Sequence, residues 1–517
     1  MKILLLEHPR ARMPERCNDI ANTPLSSCLL SGCVAALLLK EGHEVEIVEG
    51  YLEGLSYEDI KNRVRAFAPD IIGAHMVYHW GEDRALAQFL SEIKEECRPR
   101  FIAAYGYYPT FAFMDIPVIF PSVDGVLLGE PELTFKSLAR AISSGRHIKN
   151  KDIPGLAMAG DGGCPDGSFL KPETAEDLDT LPFPLRTSAM RRLPEVNLLG
   201  SRGCYGHCTF CHLSSFGGRW RGRSPENIVE EIDRIIAESG VFTRDFYFTD
   251  PNFFGPGAGG QDRALRLASL IGQRNIRFGI EARVNDIKEA SISALAGAGL
   301  RQILVGLESG RDESLKRMGK MTTVREGEEA IKVLRRHGIE PNIGFIMFEP
   351  GSTLEDLRAN FEFLKRNRLL ENLPVTANVL NHHQILLKGT KAYAANASGE
   401  RKGETQPYEA VTHFSMPEVG DLAFLMRRAA NFLFARMDGI WSGRVFAPPG
   451  AEEKYREING FFVGLFESSL ARLMSGERLG TEKAEELAAQ AENEILRLLP
   501  EAYEGIFFLK MKGEGHK

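Results

Sequence analysis

Three cysteines, Cys204, Cys208 and Cys211, stand within eight positions of one another in the stretch GSRGCYGHCTFCHLSSFGG (200–218). Short gaps in a glycine-bearing loop let three thiolates converge on one inorganic centre, and thiolates select zinc or iron–sulfur clusters. A zinc site would need His207 or His212 as its fourth ligand, whereas zinc signatures typically pair two separated ligand couples. A four-iron cluster held by three cysteines leaves one iron open for a small molecule to chelate. The spacing C-x3-C-x2-C favours that second arrangement. Cys17, Cys28 and Cys33 are loosely spaced, and the last two fall in an apolar helical run. They read as small buried hydrophobes rather than a second cluster.

The cysteine loop needs elements to hold it. From Leu193 the chain alternates strand and helix, with strands expected at EVNLLGSRG, DFYFTDPNF, RFGIEARVN, QILVGLES, EPNIGFIMF and VTANVLNHHQILL. Capping signals open two helices, Thr323 with Glu326 and Ser352 with Glu355. Six β/α units predict a partial (β/α)6 barrel of TIM type, whose site lies at the C-terminal strand ends. The cysteine loop follows the first of these strands.

Residues 1–147 alternate apolar strands and helices as well, which predicts a doubly wound parallel sheet covered on both faces. Such sheets bind ligands beyond the carboxyl ends of their strands. Residues 148–192 are rich in Gly, Pro and Asp and read as a connector. Residues 193–395 form the barrel, and 396–517 read as a helical C-terminal domain. The fold class is α/β throughout the first two domains.

The chain has 517 residues, 43% hydrophobic and 26% charged, with a net charge of −7. That length predicts two to four domains. The charge gives no global case for nucleic acid or an anionic membrane. No apolar run reaches bilayer-spanning length, and the opening MKILLLEHPRARM reads as a buried strand rather than a signal peptide. A cytoplasmic location follows, where thiols stay reduced. Arg219, Arg221 and Arg223 read as a solvated face or local ion pairs before a phosphate patch.

With these residues in hand, the chain resembles the radical S-adenosylmethionine (SAM) enzymes, which carry C-x3-C-x2-C after the first strand of a β/α barrel. The resemblance implies a [4Fe-4S] cluster on Cys204, Cys208 and Cys211, whose open iron binds SAM and whose electron releases a 5′-deoxyadenosyl radical. It implies SAM contacts from Phe210, Asp250, Glu281, Arg283, Glu308 and Ser309, in FYFTDPNFF, EARVN and VGLESG. It also implies an electron donor such as flavodoxin or ferredoxin.

The N-terminal pattern, with AYGYYPT, VDGVLLGEPELTFKSL and DLDTLPFP, is similar to the cobalamin-binding half of the cobalamin-dependent branch. That likeness implies corrinoid contacts from His75, Tyr78, His79, Gly106, Tyr107, Tyr108, Pro109, Thr110, Gly129 and Glu130. The D-x-H-x-x-G signature that gives cobalt a histidine is absent, so the resemblance implies cobalt without one. The activity implied is methylation of an unactivated carbon in a small-molecule or peptide substrate, by methylcobalamin and the adenosyl radical. Ring formation or oxidation by the same cofactors, methylthiotransfer, and a non-enzymatic corrinoid carrier or sensor are the rival readings. His382 and His383 are candidate substrate walls.

Overall fold

The run KILLLE opens the chain as a strand because its apolar residues alternate into cores on both sides of one sheet. Leu4, Leu6, Ile72 and Ala74 face one layer of helices, Tyr57–Phe67 and Asp83–Glu96; Ile3, Leu5 and Ile71 face the other, Leu29–Lys40 and Glu132–Ser143. The structure, a computed structural model of the chain, describes residues 1–9, 29–77, 83–149, 151–159, 169–193, 195–239, 245–396, 408–441 and 451–499.

The first sheet contains β1 (Lys2–Glu7), β2 (Glu44–Glu49), β3 (Ile71–His75), β4 (Phe101–Tyr105), β5 (Gly125–Leu127) and β6 (Leu156–Met158), in the order β2-β1-β3-β4-β5-β6. The first five are parallel, and β6 closes the edge antiparallel to β5. The stretch 148–192, read as a connector, therefore contributes an edge strand to this sheet before it crosses to the second.

The second sheet begins with β7 (Val196–Leu198). A two-stranded ribbon, β8 (Ser201–Arg202) and β9 (Arg221–Gly222), brackets the cysteine loop. The sheet continues through β10 (Asp245–Phe248), β11 (Arg277–Arg283), β12 (Leu300–Glu308) and β13 (Asn342–Phe345), all parallel in the order β13-β12-β11-β10-β7. Phe248 is fully buried at its centre, edge-on to Phe253 (5.1 Å) and Phe278 (5.9 Å). Phe248→Ala is expected to cost about 3–5 kcal/mol, the usual range for a large buried aromatic. A lower urea midpoint with unchanged m-value checks it.

Two local expectations differ from the structure. The run VTANVLNHHQILL is not a sixth strand: Leu373–Asn381 is a helix, capped by Asn372 Oδ1 on the Val375 amide (3.3 Å) with a proline in its first turn. An apolar run packed on both sides does not distinguish helix from strand, and here the cap decides. In the second half of the run His383 makes an isolated parallel bridge to Phe348, and Leu386–Leu387 forms a short strand that pairs outside the second sheet. The helix Leu354–Arg366 is capped by Thr353 with Asp356, one residue later than Ser352 with Glu355. Thr323 and Glu326 form their capping box as expected.

After β14 (Leu386–Leu387), paired antiparallel with β15 (Glu409–Ala410), three long helices follow: Pro417–Trp441, Ala451–Met474 and Gly480–Leu498. Their apolar faces join the core of the second sheet, and Phe466 stacks on Phe361 at 5.0 Å. No described helix is long and apolar enough to cross a membrane.

Candidate active site

The cysteine loop is shaped by its two ends. Gly203 has φ +72°, and a Cβ there would run into the carbonyls of Gly218 and Arg219, so only glycine lets the ends cross. Asp250, from the end of β10, anchors the entry: Oδ1 accepts from the Gly200 amide (2.7 Å) and Oδ2 from Ser201 Oγ (2.8 Å). Tyr205 donates to Asp286 (2.6 Å), which also accepts from Asn252 Nδ2 (2.7 Å).

Cys204, Cys208 and Cys211 line a cavity of about 480 Å³ at the C-terminal ends of β11, β12 and β13. Each sulfur accepts one N–H: Cys204 from Gly206 (3.3 Å), Cys208 from Arg283 Nη1 (3.5 Å) and Cys211 from Leu213 (3.5 Å). Burial pushes the Cys211 thiol up to about 12, helped by Cys208, and burial raises Cys204 too. A nucleophilic cysteine needs the opposite shift. A bound metal would take these sulfurs as thiolates, their protons being released on binding.

The zinc alternative loses its fourth ligand. His212 is buried and stacked on Phe111 (4.2 Å); its Nε2 donates to the Lys388 carbonyl (2.7 Å) while Nδ1 faces the Tyr408 hydroxyl (3.5 Å). Burial lowers it to about 4, so the ring is neutral. His207 is exposed and off the cavity wall. Among the described residues no three His, Cys, Asp or Glu side chains gather closely enough for a single ion. Three sulfurs spread around a cavity, each with an N–H donor, fit a multi-iron cluster better.

Of the residues expected to meet SAM, Phe210, Glu281, Arg283 and Glu308 line this cavity. Arg283 also donates to the Lys320 carbonyl, and its buried Nε has no partner among the described residues. Glu281 accepts from Tyr247 (3.4 Å), and burial holds its carboxyl well above the usual range. Glu308 pairs with Lys320 Nζ (2.7 Å) in the space left by Gly306, where a Cβ would lie 2.5 Å from both. Asp250 and Ser309 stand outside it. Asp250 is committed to the loop entry, and Ser309 donates to Asn360 (2.7 Å).

Burial also raises Asp250 to about 6, and its neighbours Arg263 and Ser201 only partly offset this. Below about pH 4 its carboxyl is protonated both folded and unfolded. Between about 4 and 6 this side chain ionises first in the unfolded chain, so its contribution to stability should fall by up to about 3 kcal/mol and then level off. Asp250→Asn is expected to reduce that slope in urea titrations run across the interval, leaving the part that the buried Glu281 carboxyl contributes. An unchanged slope would assign it to another group.

A second, mostly apolar cleft opens between the C-terminal edge of the first sheet and the cysteine loop. His75, Tyr107 and Glu130 line it, and Val77, Tyr107, Leu213 and Pro251 line both spaces, so they adjoin. Gly106 has φ +113°, with a Cβ only 2.7 Å from the Met76 carbonyl, so the backbone here must stay bare. Thr110 Oγ1 donates to the Gly106 carbonyl (2.7 Å) and accepts from the Gly129 amide (3.0 Å). Tyr108 and Pro109 are buried, Tyr108 against Tyr408 (4.8 Å). His75 is held by Glu7 (2.9 Å). Tyr78, His79, Cys17 and Cys28 lie outside the described residues. Cys33 is buried in its helix, its thiol pushed up to about 12 by burial.

The arginines at 219, 221 and 223 are all ion-paired, to Glu176, Glu130 and Glu231. The sequence pattern did not single out Lys320, Asn378 or Tyr408, all on the cavity wall. Lys320 stands in the turn MGKMTT with no periodicity to mark it. Tyr408 meets His212 across 196 positions, which no local pattern encodes.

A cluster-type cysteine loop above a parallel β/α sheet, facing a cleft on a doubly wound sheet, defines the class. Residues 198–364 match the Radical SAM superfamily, and this segment is a radical SAM domain. The chain is 29% identical over 379 residues to Uncharacterized methyltransferase PH0819 of Pyrococcus horikoshii, covering 71% of this chain and 78% of that one. It is 24% identical over 398 residues to the cytidylyl-2-hydroxyethylphosphonate methyltransferase of Streptomyces wedmorensis, covering 64% and 72%. Relatives named as anaerobic magnesium-protoporphyrin IX monomethyl ester cyclases and a putative methylthiotransferase match as well. The fold is that of the cobalamin-dependent SAM radical enzyme OxsB solved with aqua-cobalamin, at TM-score 0.76 and 20% identity, covering 96% of this chain and 79% of that one.

Proposed function

We propose that this radical SAM enzyme binds a [4Fe-4S] cluster, SAM and cobalamin, and methylates carbon in a small organic substrate. The observation that carries the reading is the adjoining pair of spaces, one walled by the three cysteines and the other by the ligand edge of the first sheet. When bound, the cluster supplies the electron that cleaves SAM, and the corrinoid supplies a transferable methyl group.

The chain's own part is placement. Cys204, Cys208 and Cys211 hold the cluster. Arg283, with a fork already beside Cys208, offers its spare Nε to an anionic group such as the SAM carboxylate. Phe210 offers an aromatic face. Tyr107 stands on the wall common to both spaces, and Ile385, Leu387 and Tyr408 add to the wall of the larger one.

Holoenzyme given reductant and SAM carrying a labelled methyl group tests this directly. The expected result is labelled methylcobalamin together with 5′-deoxyadenosine. Deoxyadenosine with an unlabelled corrinoid would favour the ring-forming or oxidising chemistry named among the relatives. Bound corrinoid with no deoxyadenosine would favour a carrier or sensor.

A further inference from the structure

Both ends of the cysteine loop are fastened to the first sheet by buried charge. Arg202 stands two residues before Cys204 and donates to Glu130 (3.1 Å) and Glu132 (2.6 Å), which follow β5. Arg221, leaving the loop on β9, donates to the same Glu130 and to the Gly217 carbonyl (2.9 Å). Between them the loop rests on aromatic rings from the segment after β4: His212 on Phe111 (4.2 Å, 16° between planes) and Phe216 on Tyr107 (4.1 Å, 27°). Glu130 is tied in turn through Gly129 and Thr110 to Gly106. A continuous set of contacts therefore joins the two loops that edge the cleft to both ends of the cysteine loop.

The four charged side chains are nine-tenths buried or more, with at most 9% of any one exposed. Stripping water from two guanidinium groups and two carboxylates returns little net stability, and packed apolar residues would hold the border as well. What the forks add is direction, because a planar guanidinium fixes the angle of the carboxylates it bridges. We propose that Glu130, Glu132, Arg202 and Arg221 form a positioning clamp that sets the separation and orientation of the corrinoid seat relative to the cluster loop. The inference rests on the two-cofactor reading and adds how the two centres are kept in register. None of the four side chains transfers the methyl group or the electron; each acts through the loop it holds.

The test uses holoenzyme carrying cob(II)alamin and the reduced cluster. Both are paramagnetic, so pulsed electron paramagnetic resonance reads their spin–spin coupling and hence their separation. The native protein is expected to give one well-defined coupling. Arg202→Lys keeps the charge but loses the fork, and Glu130→Gln keeps the shape but loses the charge. Each should retain iron and cobalt while the coupling broadens or disappears, and methylcobalamin formation from SAM should fall at least about tenfold, as small misplacements of reacting groups do. If the single variants do not fold, the apolar pair Arg202→Met with Glu132→Leu replaces them, since such swaps commonly preserve stability. A lower melting temperature with an unchanged coupling would overturn the clamp and leave an ordinary buried ion-pair network. A protein that takes up iron but no cobalt would instead refute the two-cofactor reading, and the clamp with it.

Discussion

Replacing Cys208 by alanine is expected to abolish reductive cleavage of SAM, lowering 5′-deoxyadenosine formation well beyond the 10–100-fold typical of losing an outer-shell partner. Three cysteines are the proposed ligands of the cluster, and neither nearby histidine offers a reserve. His212 is committed through both ring nitrogens, and His207 is exposed off the cavity wall. Iron content should fall with activity, because a cluster left with two thiolates is poorly held. The Cys208 sulfur also accepts from Arg283, so its loss frees a buried guanidinium N–H. Retained cleavage by a reconstituted variant would remove the cluster from this loop.

Arg283→Lys is the second large effect. The side chain lies over the Tyr205 ring (5.4 Å), bonds Cys208 and the Lys320 carbonyl, and keeps Nε unpartnered among the described residues. A lysine retains one positive charge but cannot address three directions from one plane. Charge-assisted hydrogen bonds are worth about 1.5–3 kcal/mol each. SAM binding should therefore weaken by roughly 10–100-fold while the iron content stays near native. Equilibrium dialysis of labelled SAM against the reconstituted variant measures it. An unchanged affinity would make Arg283 a brace for the loop alone.

The cysteine spacing and the two strand–helix alternations were legible because each is local: ligand spacing within one loop, and apolar runs between capped helices. Side-chain direction was not. Asp250 has the right type and strand end for a cofactor contact, yet its two oxygens are taken by Gly200 and Ser201 behind the loop. Glu130 lies on the cleft wall, but Arg202 and Arg221 hold its carboxylate. The apolar run 375–387 matched a strand by composition, and only the Asn372 cap distinguishes its helical half. The contact of Tyr408 with His212, and the merging of the C-terminal helices into the second sheet's core, depend on long-range packing that no window of sequence contains.

The most direct measurement is the iron, sulfide and cobalt content of protein purified without oxygen from corrinoid-supplied cells, with an absorption spectrum of the same sample. About four irons, four sulfides and one cobalt per chain are expected, with a corrinoid band beside the broad cluster absorption. Four irons with no cobalt, even after cobalamin is added, would contradict methyl transfer from cobalt. Two irons or a single zinc would contradict the cluster itself.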